Sequence, residues 1–331
     1  MKKVLTVVLI ITLCTIFTGC GKYNVKNLVK DFSKKVDDSS SYTLSGVLEI
    51  KNNEETYSYD VEVMYKKENK FRVSLKNKIN NYEQIILRKT DGIYVLTPSL
   101  NKSFKFQSEW PYNSSQSYLL QILIEDMKND ENAKFEEIKN GYVVETKANY
   151  SSNKDLKTQK IYFNKDKDVY KVEVLDDDGI VKILMNITSV EYNKNIDDKY
   201  FDLNNNMDSS TLKEEVDKTI DKIIYPMYMP ENTYLSSENK VSKDDGERII
   251  MTFSGDSSFM LIQETATIPE NMNTIPINGE PYLLVDSVGA VSENSIEWSS
   301  NGVEYYLLSD KMSKEELITV AKSLTTMPVG K

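Results

Sequence analysis

The sequence contains no histidine, and its two cysteines are Cys14 and Cys20. Cys14 lies in an N-terminal apolar run that reads as a discarded leader, and Cys20 is the residue at which that leader ends. Ser-His-Asp and Cys-His catalysis, Cys/His zinc sites and structural disulfides are therefore excluded together. Any chemistry would have to use carboxylates, Ser, Tyr or Lys, and no cofactor is implied. Arginine is scarce too: Arg72, Arg88 and Arg248 are the only ones among 41 basic residues, a bias associated with A/T-rich genomes. Positive charge is outweighed by 51 acidic residues, for a formal net charge of −10, and more negative without Lys2 and Lys3. That balance argues against nucleic acid and against bulk electrostatic adhesion to anionic lipid or wall polymer. A membrane-spanning run is absent as well, because the segment Val4 to Phe17 covers about 14 residues whereas a bilayer needs about 20.

What is present begins with that segment. Lys2 and Lys3, an apolar run, and then Phe17-Thr18-Gly19-Cys20 make an export signal without the small-x-small site of ordinary secretory cleavage. A small residue followed by cysteine resembles the bacterial lipobox, although the lipobox usually has Leu where this chain has Phe17. The resemblance implies a diacylglycerol on the Cys20 thiol, cleavage before it, and further acylation such as palmitate. Two or more acyl chains suffice for stable attachment. Residues 1–19 are thus a lipoprotein signal peptide, and the remainder is expected at the extracytoplasmic face of the cell membrane.

After Asn24, an N-cap candidate, Val25, Leu28, Val29, Phe32 and Val36 recur at helical spacing. The period then changes to two. Alternation through Tyr42 to Ile50, Tyr57 to Tyr65, Phe71 to Leu75, Tyr82 to Arg88, Ile93 to Leu96 and Ser103 to Gln107 predicts six strands. Ser115 to Met127 predicts a serine-capped helix. Strand spacing resumes in Lys134 to Ile138 and Tyr142 to Thr146, joined by the hairpin signal Asn140-Gly141, and continues in Thr158 to Phe163, Val169 to Leu175 and Ile180 to Tyr192. About eleven meandering strands with two helices can bury their apolar faces if one curved sheet wraps around the helices; a sandwich is the alternative. Asn204 to Ser210 is polar and turn-rich and reads as a linker, with a boundary near residue 206. Beyond it, Leu212 to Ile224 reads as a connecting helix. The strand candidates are Arg248 to Phe253, Ser258 to Glu264, Tyr282 to Val285, Ser295 to Trp298 and Val303 to Leu308, before a helix introduced by the capping box Ser313-Lys314-Glu315-Glu316.

The stretches Gln159-Lys160-Ile161-Tyr162-Phe163-Asn164-Lys165, Lys171-Val172-Glu173-Val174-Leu175-Asp176, Asp178-Gly179, Val190-Glu191-Tyr192-Asn193 and Phe201-Asp202-Leu203 resemble the end of LolA-like lipoprotein-carrier domains. The similarity covers roughly residues 24–203 and points to the sporulation and germination lipoprotein (GerS-related) branch found in Gram-positive spore formers. It implies an α+β fold: a LolA-like curved antiparallel sheet, or half-barrel, enclosing helices across residues 20–206. Tyr225-Pro226, Met229-Pro230, Glu315-Glu316-Leu317 and Ala321-Lys322-Ser323-Leu324 resemble a C-terminal domain of unknown function, a smaller α+β unit across residues 207–331.

Few residues present themselves as a site. Ser-x-x-Lys pairs such as Ser99/Lys102 occur about as often as composition alone produces, and no aromatic-flanked carboxylate pair stands out for sugar hydrolysis. Asp176-Asp177-Asp178-Gly179 lacks the rest of a calcium loop and reads as a hairpin tip. The aromatic group Phe104, Phe106, Trp110, Tyr112 and Tyr118 lies between the middle strands and the inserted helix, where carriers of this fold border their apolar cavity. It is read as ordinary core or as a cavity or partner surface. The expected function is a non-catalytic, membrane-anchored binding protein of sporulation or germination. The resemblance implies a cortex-modifying cell-wall amidase as partner. A lipid or lipoprotein carrier is the alternative, and a carboxylate-based wall hydrolase a third reading.

Overall fold

The computed structural model describes residues 23–52, 55–150, 153, 155–208, 218–284 and 286–324. Helix α1 (Val25–Asp37) opens it, and Asn24 caps it. The Asn27 N–H donates to Asn24 Oδ1 at 3.2 Å and the Asn24 N–H to Asn27 Oδ1 at 3.3 Å, satisfying donors that a helix start leaves unpaired. Leu28, Val29, Phe32 and Val36 form its buried face.

Alternating residues then build β1 (Ser41–Asn52), β2 (Glu55–Lys66), β3 (Lys70–Asn77), β4 (Glu83–Lys89), β5 (Gly92–Thr97) and β6 (Lys102–Phe106). Helix α2 (Leu120–Asn129) follows, then β7 (Lys134–Ile138), β8 (Gly141–Lys147), β9 (Thr158–Asn164), β10 (Val169–Leu175) and β11 (Val181–Tyr192). Their order in the sheet is β6-β5-β4-β3-β2-β1-β11-β10-β9-β8-β7, two antiparallel meanders joined where β1 pairs with β11. A single curved sheet, not a sandwich, is the outcome. Val190, Leu44, Val63, Val73, Ile86, Val95 and Phe104 stand opposite one another in successive strands. One apolar row thus crosses seven strands, which is what a period of two yields when every register agrees. Around this concave face α1 and α2 pack into the core, with the Phe32 and Phe163 rings edge to face at 5.2 Å. Two glycines allow close strand approach. A Cβ on Gly46, at the β1 bulge, would lie 2.3 Å from the Asn186 carbonyl oxygen. Gly141, at φ +153°, starts β8 against the Phe163 carbonyl.

Helix α2 starts later than its spacing suggests, at Leu120, and Ser115 does not cap it. The Ser115 hydroxyl accepts from the Asn149 N–H at 2.7 Å and the Ser115 N–H donates to the Asn149 carbonyl at 2.8 Å. The serine therefore fastens the loop before α2 to the chain leaving β8. The expected linker also differs: Leu203–Asp208 forms helix α3. Met207 and Leu203 cover Ile85, Leu87, Tyr94 and Leu96 on the convex face. Asn206 is 3% exposed; its Oδ1 accepts from Arg72 Nε at 2.7 Å, and its Nδ2 donates to the Tyr200 and Asp202 carbonyls. A residue type that reads as a turn former is here a buried bracket for a guanidinium.

Residues 218–224 are not helical, and the remainder of the expected connecting helix lies outside the described residues. The Ile220 N–H donates to Glu247 Oε2 and the Ile224 N–H to Gln263 Oε1, both at 3.0 Å, so side chains satisfy the backbone that a helix would have satisfied internally. The second unit comprises β12 (Thr233–Lys243), β13 (Gly246–Gly255), β14 (Phe259–Thr265), β15 (Asn273–Ile277), β16 (Glu280–Leu283), β17 (Val288–Val291), β18 (Ser295–Ser300), β19 (Val303–Leu308) and α4 (Lys314–Lys322). Seven strands form its sheet, in the order β12-β13-β14-β19-β18-β17-β16. Helix α4, capped by Ser313 Oγ accepting from the Glu316 N–H at 3.2 Å, packs on it through Leu317, Ile318, Val320 and Ala321.

Strand β15 belongs elsewhere. It pairs in parallel with β6 and becomes the twelfth strand of the first sheet, with Ile275 extending the apolar row past Phe104. Val288 and Ala290 of β17 join the first unit's core, and the buried Gln84 amide spans the joint, donating to the Val288 carbonyl and accepting from its N–H. Lys102 and Glu304 add an ion pair across it, where burial pushes the lysine down to about 8. Among the described residues no helix is long and apolar enough to cross a membrane.

Candidate functional site

The concave face is occupied from both ends, by α1 and α2 on one side and by β16 and β17 on the other. A cavity of about 410 Å³ remains between them, within the ~300–1,000 Å³ range of small-molecule sites. Leu48 and Ile50 of β1 and Ile86 of β4 line it, with Trp110, Tyr118 and Tyr150 around them. Tyr282 and Leu283 of β16 form its cover. The lip is charged, carrying Asp176, Asp177, Asp178, Lys182 and Lys322.

Local contacts hold that cover. Glu280 takes an ion pair from Lys314 and a hydrogen bond from the Asn113 amide. Lys322 Nζ donates to the Tyr282 hydroxyl at 3.0 Å, and Asn52 Nδ2 donates to the Lys322 carbonyl at 3.1 Å. At the lip, Asp176 bonds its own hairpin, accepting from the Ile180 N–H at 2.8 Å and the Asp178 N–H at 3.1 Å. These bonds and Lys182 hold its carboxyl below the usual range. The Asp-Asp-Asp-Gly run is thus a hairpin tip, and among the described residues no group of three or more acidic side chains is placed to hold a metal ion. Behind the wall, burial pushes the Asp126 carboxyl up to about 6, opposed by hydrogen bonds from Ser115 and Gln159, the latter at 2.6 Å. Burial likewise raises the Tyr118 and Tyr150 hydroxyls.

The five candidate aromatics separate. Trp110 and Tyr118 line the cavity. Phe106 is 1% exposed and belongs to the core, and Phe104 packs half-buried at the joint with β15. Tyr112 is 43% exposed on another side, donating to Asn69 Oδ1 at 2.9 Å, with the Arg88 guanidinium 5.3 Å from its ring centre. Leu48, Ile50, Tyr150, Tyr282 and Leu283 were not among the candidates. The first two read as ordinary alternation, and the last two come from a unit whose docking leaves no local signal. Cys20 lies outside the described residues. The arrangement provides a shaped recess of mixed lining, with Leu48, Ile50 and Ile86 beside polar Asn113, Gln116 and Ser117, and charged at its mouth.

Comparison with known proteins gives the chain relatives along most of its length. The family model described as sporulation protein YdcC-like matches residues 1–201, and that of DUF4367, a domain of unknown function, matches residues 223–324. Sporulation protein YdcC of Bacillus subtilis (strain 168) is 41% identical over 315 residues, 93% of this chain and 93% of that protein. Among solved structures, the Pseudomonas aeruginosa MucA/MucB complex matches at 9% identity over 89% of this chain and 97% of that one, with a TM-score of 0.35. A chain from the Clostridioides difficile CwlD amidase complex with the GerS lipoprotein matches at 23% identity over 52% and 98%, with a TM-score of 0.32. A LolA superfamily protein from Nitrosomonas europaea matches at 11% over 55% and 99%, also at 0.32. With a family model covering more than half of its length and a relative 41% identical across nearly all of it, the chain belongs to the sporulation protein YdcC-like family.

Proposed function

We propose that this protein is a lipid-anchored, extracytoplasmic accessory protein of sporulation or germination in a Gram-positive spore former, acting by binding and not by catalysis. The observation that carries the reading is the 41% identity to a sporulation protein over 93% of both chains. The lipobox-like end at Cys20 supplies the anchor, and the absence of histidine and of any usable thiol supports a binding role. The chain is read as a leader over residues 1–19, a half-barrel unit from Cys20, and a C-terminal unit, the division falling after α3. A cortex-modifying amidase, the partner implied by the sequence resemblance, is the first to test. Deletion is expected to give spores with altered cortex and slowed germination, and capture from sporulating cells to recover a cell-wall amidase. Normal spores together with no such enzyme would sink the proposal.

The cavity favours a second reading, the carriage of a lipid or acyl chain. Its apolar floor and volume of about 410 Å³ suit part of an acyl chain. Native mass spectrometry of the protein extracted from membranes decides it: co-purifying lipid supports carriage, and an empty protein excludes it. Hydrolysis is tested by incubation with purified peptidoglycan, where product release abolished by one Asp or Glu substitution would reverse the ordering.

A further inference from the structure

The strands of the first sheet run between two rims, and each rim has a different occupant. Along one lie the starts of β1, β3, β5, β8 and β10 and the turn between β9 and β10. Helix α1 is laid against this rim: Lys35 Nζ is 2.5 Å from Asp168 Oδ1, and Lys167 Nζ is 2.6 Å from Asp31 Oδ2. Tyr23, the first described residue, is pinned at its β7–β8 corner, its ring 5.2 Å from Tyr142 and 6.0 Å from Phe135, with Lys167 Nζ 5.6 Å above it. The second unit is fastened to the other rim. There Asn52 reaches the Lys322 carbonyl at 3.1 Å, Asn101 the Pro269 carbonyl at 2.8 Å, and Asn80 the Asn301 side chain at 3.5 Å. It also extends the opposite edge of the sheet, through β15 on β6.

Only Gly21 and Lys22 separate Cys20 from Tyr23. Three peptide units span at most about 11 Å, so an acyl chain on Cys20 leaves that corner within one headgroup layer of the bilayer.

We infer that the α1 rim is a membrane-facing surface and that its occupant is the lipid headgroup layer, so that the cavity mouth and the second unit are held on the far side. Twelve-residue β1 spans roughly 40 Å, and about 30 Å after strand tilt, which sets the stand-off. Exposed Lys26, Lys30, Lys139 and Lys165 around the corner are interleaved with exposed Glu136, Glu137 and Asp166. The charges nearly balance, so the short tether and not electrostatic attraction imposes the orientation. It follows that a partner meeting the lip or the second unit approaches from the wall side.

The inference rests on the lipid anchor, and its test separates the two. Full-length lipidated protein carries no other thiol after cleavage, so Lys165→Cys and Asp178→Cys, at turns on opposite rims, can each be labelled with a fluorophore. Both are reconstituted in phosphatidylglycerol/phosphatidylethanolamine vesicles containing a headgroup nitroxide quencher. The label at 165 is expected to lose most of its fluorescence and the label at 178 little, in low and high salt alike. A flexible Gly/Ser spacer of ~20 residues after Cys20, reaching about 25 Å, should release the label at 165 without releasing the protein. Equal quenching at both sites, or stronger quenching at 178, overturns the orientation. Failure of the parent protein to stay on the vesicles overturns the anchor instead.

Discussion

Asp126 shows how a buried carboxyl behind the cavity wall couples folding to pH. Burial raises it from 3.8 to about 6, outweighing the hydrogen bonds from Ser115 and Gln159. Between about pH 4 and 6 the folded protein therefore holds a proton that the unfolded chain has released. Its contribution is complete below about pH 4 and is lost as pH rises through 6. Asp126→Asn keeps an oxygen to accept from Gln159 and removes the titration. Urea denaturation should find the variant more stable than the parent at pH 7, by on the order of 2 kcal/mol, with little difference at pH 4. A variant equally destabilised at both pH values would mean that the carboxylate itself is needed. None of this is legible in the sequence, where Asp126 is one of 51 acidic residues; its burial comes from α2 packing against β8, with Gln159 of β9 reaching across to it.

At the scale of elements, period and capping explain what was legible. Alternation marked strands such as β1, β2 and β9, which have one face on the core, whereas β4 and β5 are apolar runs buried on both faces, the second under α3. The α1 and α4 starts were readable because Asn24 and Ser313 satisfy donors within three residues. Where satisfaction is long-range, the reading failed. Ser115 bonds Asn149 and the Asp126 side chain instead of capping its helix. Strand β12 exposes nearly every side chain and so carries no alternation. Helix α3 looked like a linker because Asn206 finds its partner in Arg72, far back in the chain. Asn206→Ala should cost about 1.5–3 kcal/mol, since it strands a donor of a buried guanidinium, whereas a linker position would tolerate it within about 0.5 kcal/mol. Thermal denaturation separates these outcomes.

For the whole molecule, the question is whether the second unit is an appendage or part of the first unit's closure. Strand β15 completes one sheet edge, and β17 places Val288 and Ala290 in the other unit's core. Ending the chain after Asp208 should therefore expose the concave face around Tyr59 and Ile86, lower the melting temperature and produce binding of a hydrophobic dye. Unchanged melting with no dye binding would instead describe two independent domains. Of the five aromatic candidates, Trp110 and Tyr118 reach the cavity; Phe104 and Phe106 are fixed by their register in β6, and Tyr112 is turned aside in a loop held through Asn113 to Glu280 and Tyr112 to Asn69. What needs no distant partner could be read locally: the chemistry excluded by the missing histidine, the strand faces set by a period of two, and the helix starts set by local caps. Which strands are neighbours, that Ile275 continues the row of Phe104, and that a recess survives between the units all follow from the folded arrangement. Pairing and burial between residues far apart in the chain are set by how whole surfaces fit, and no local pattern encodes that fit.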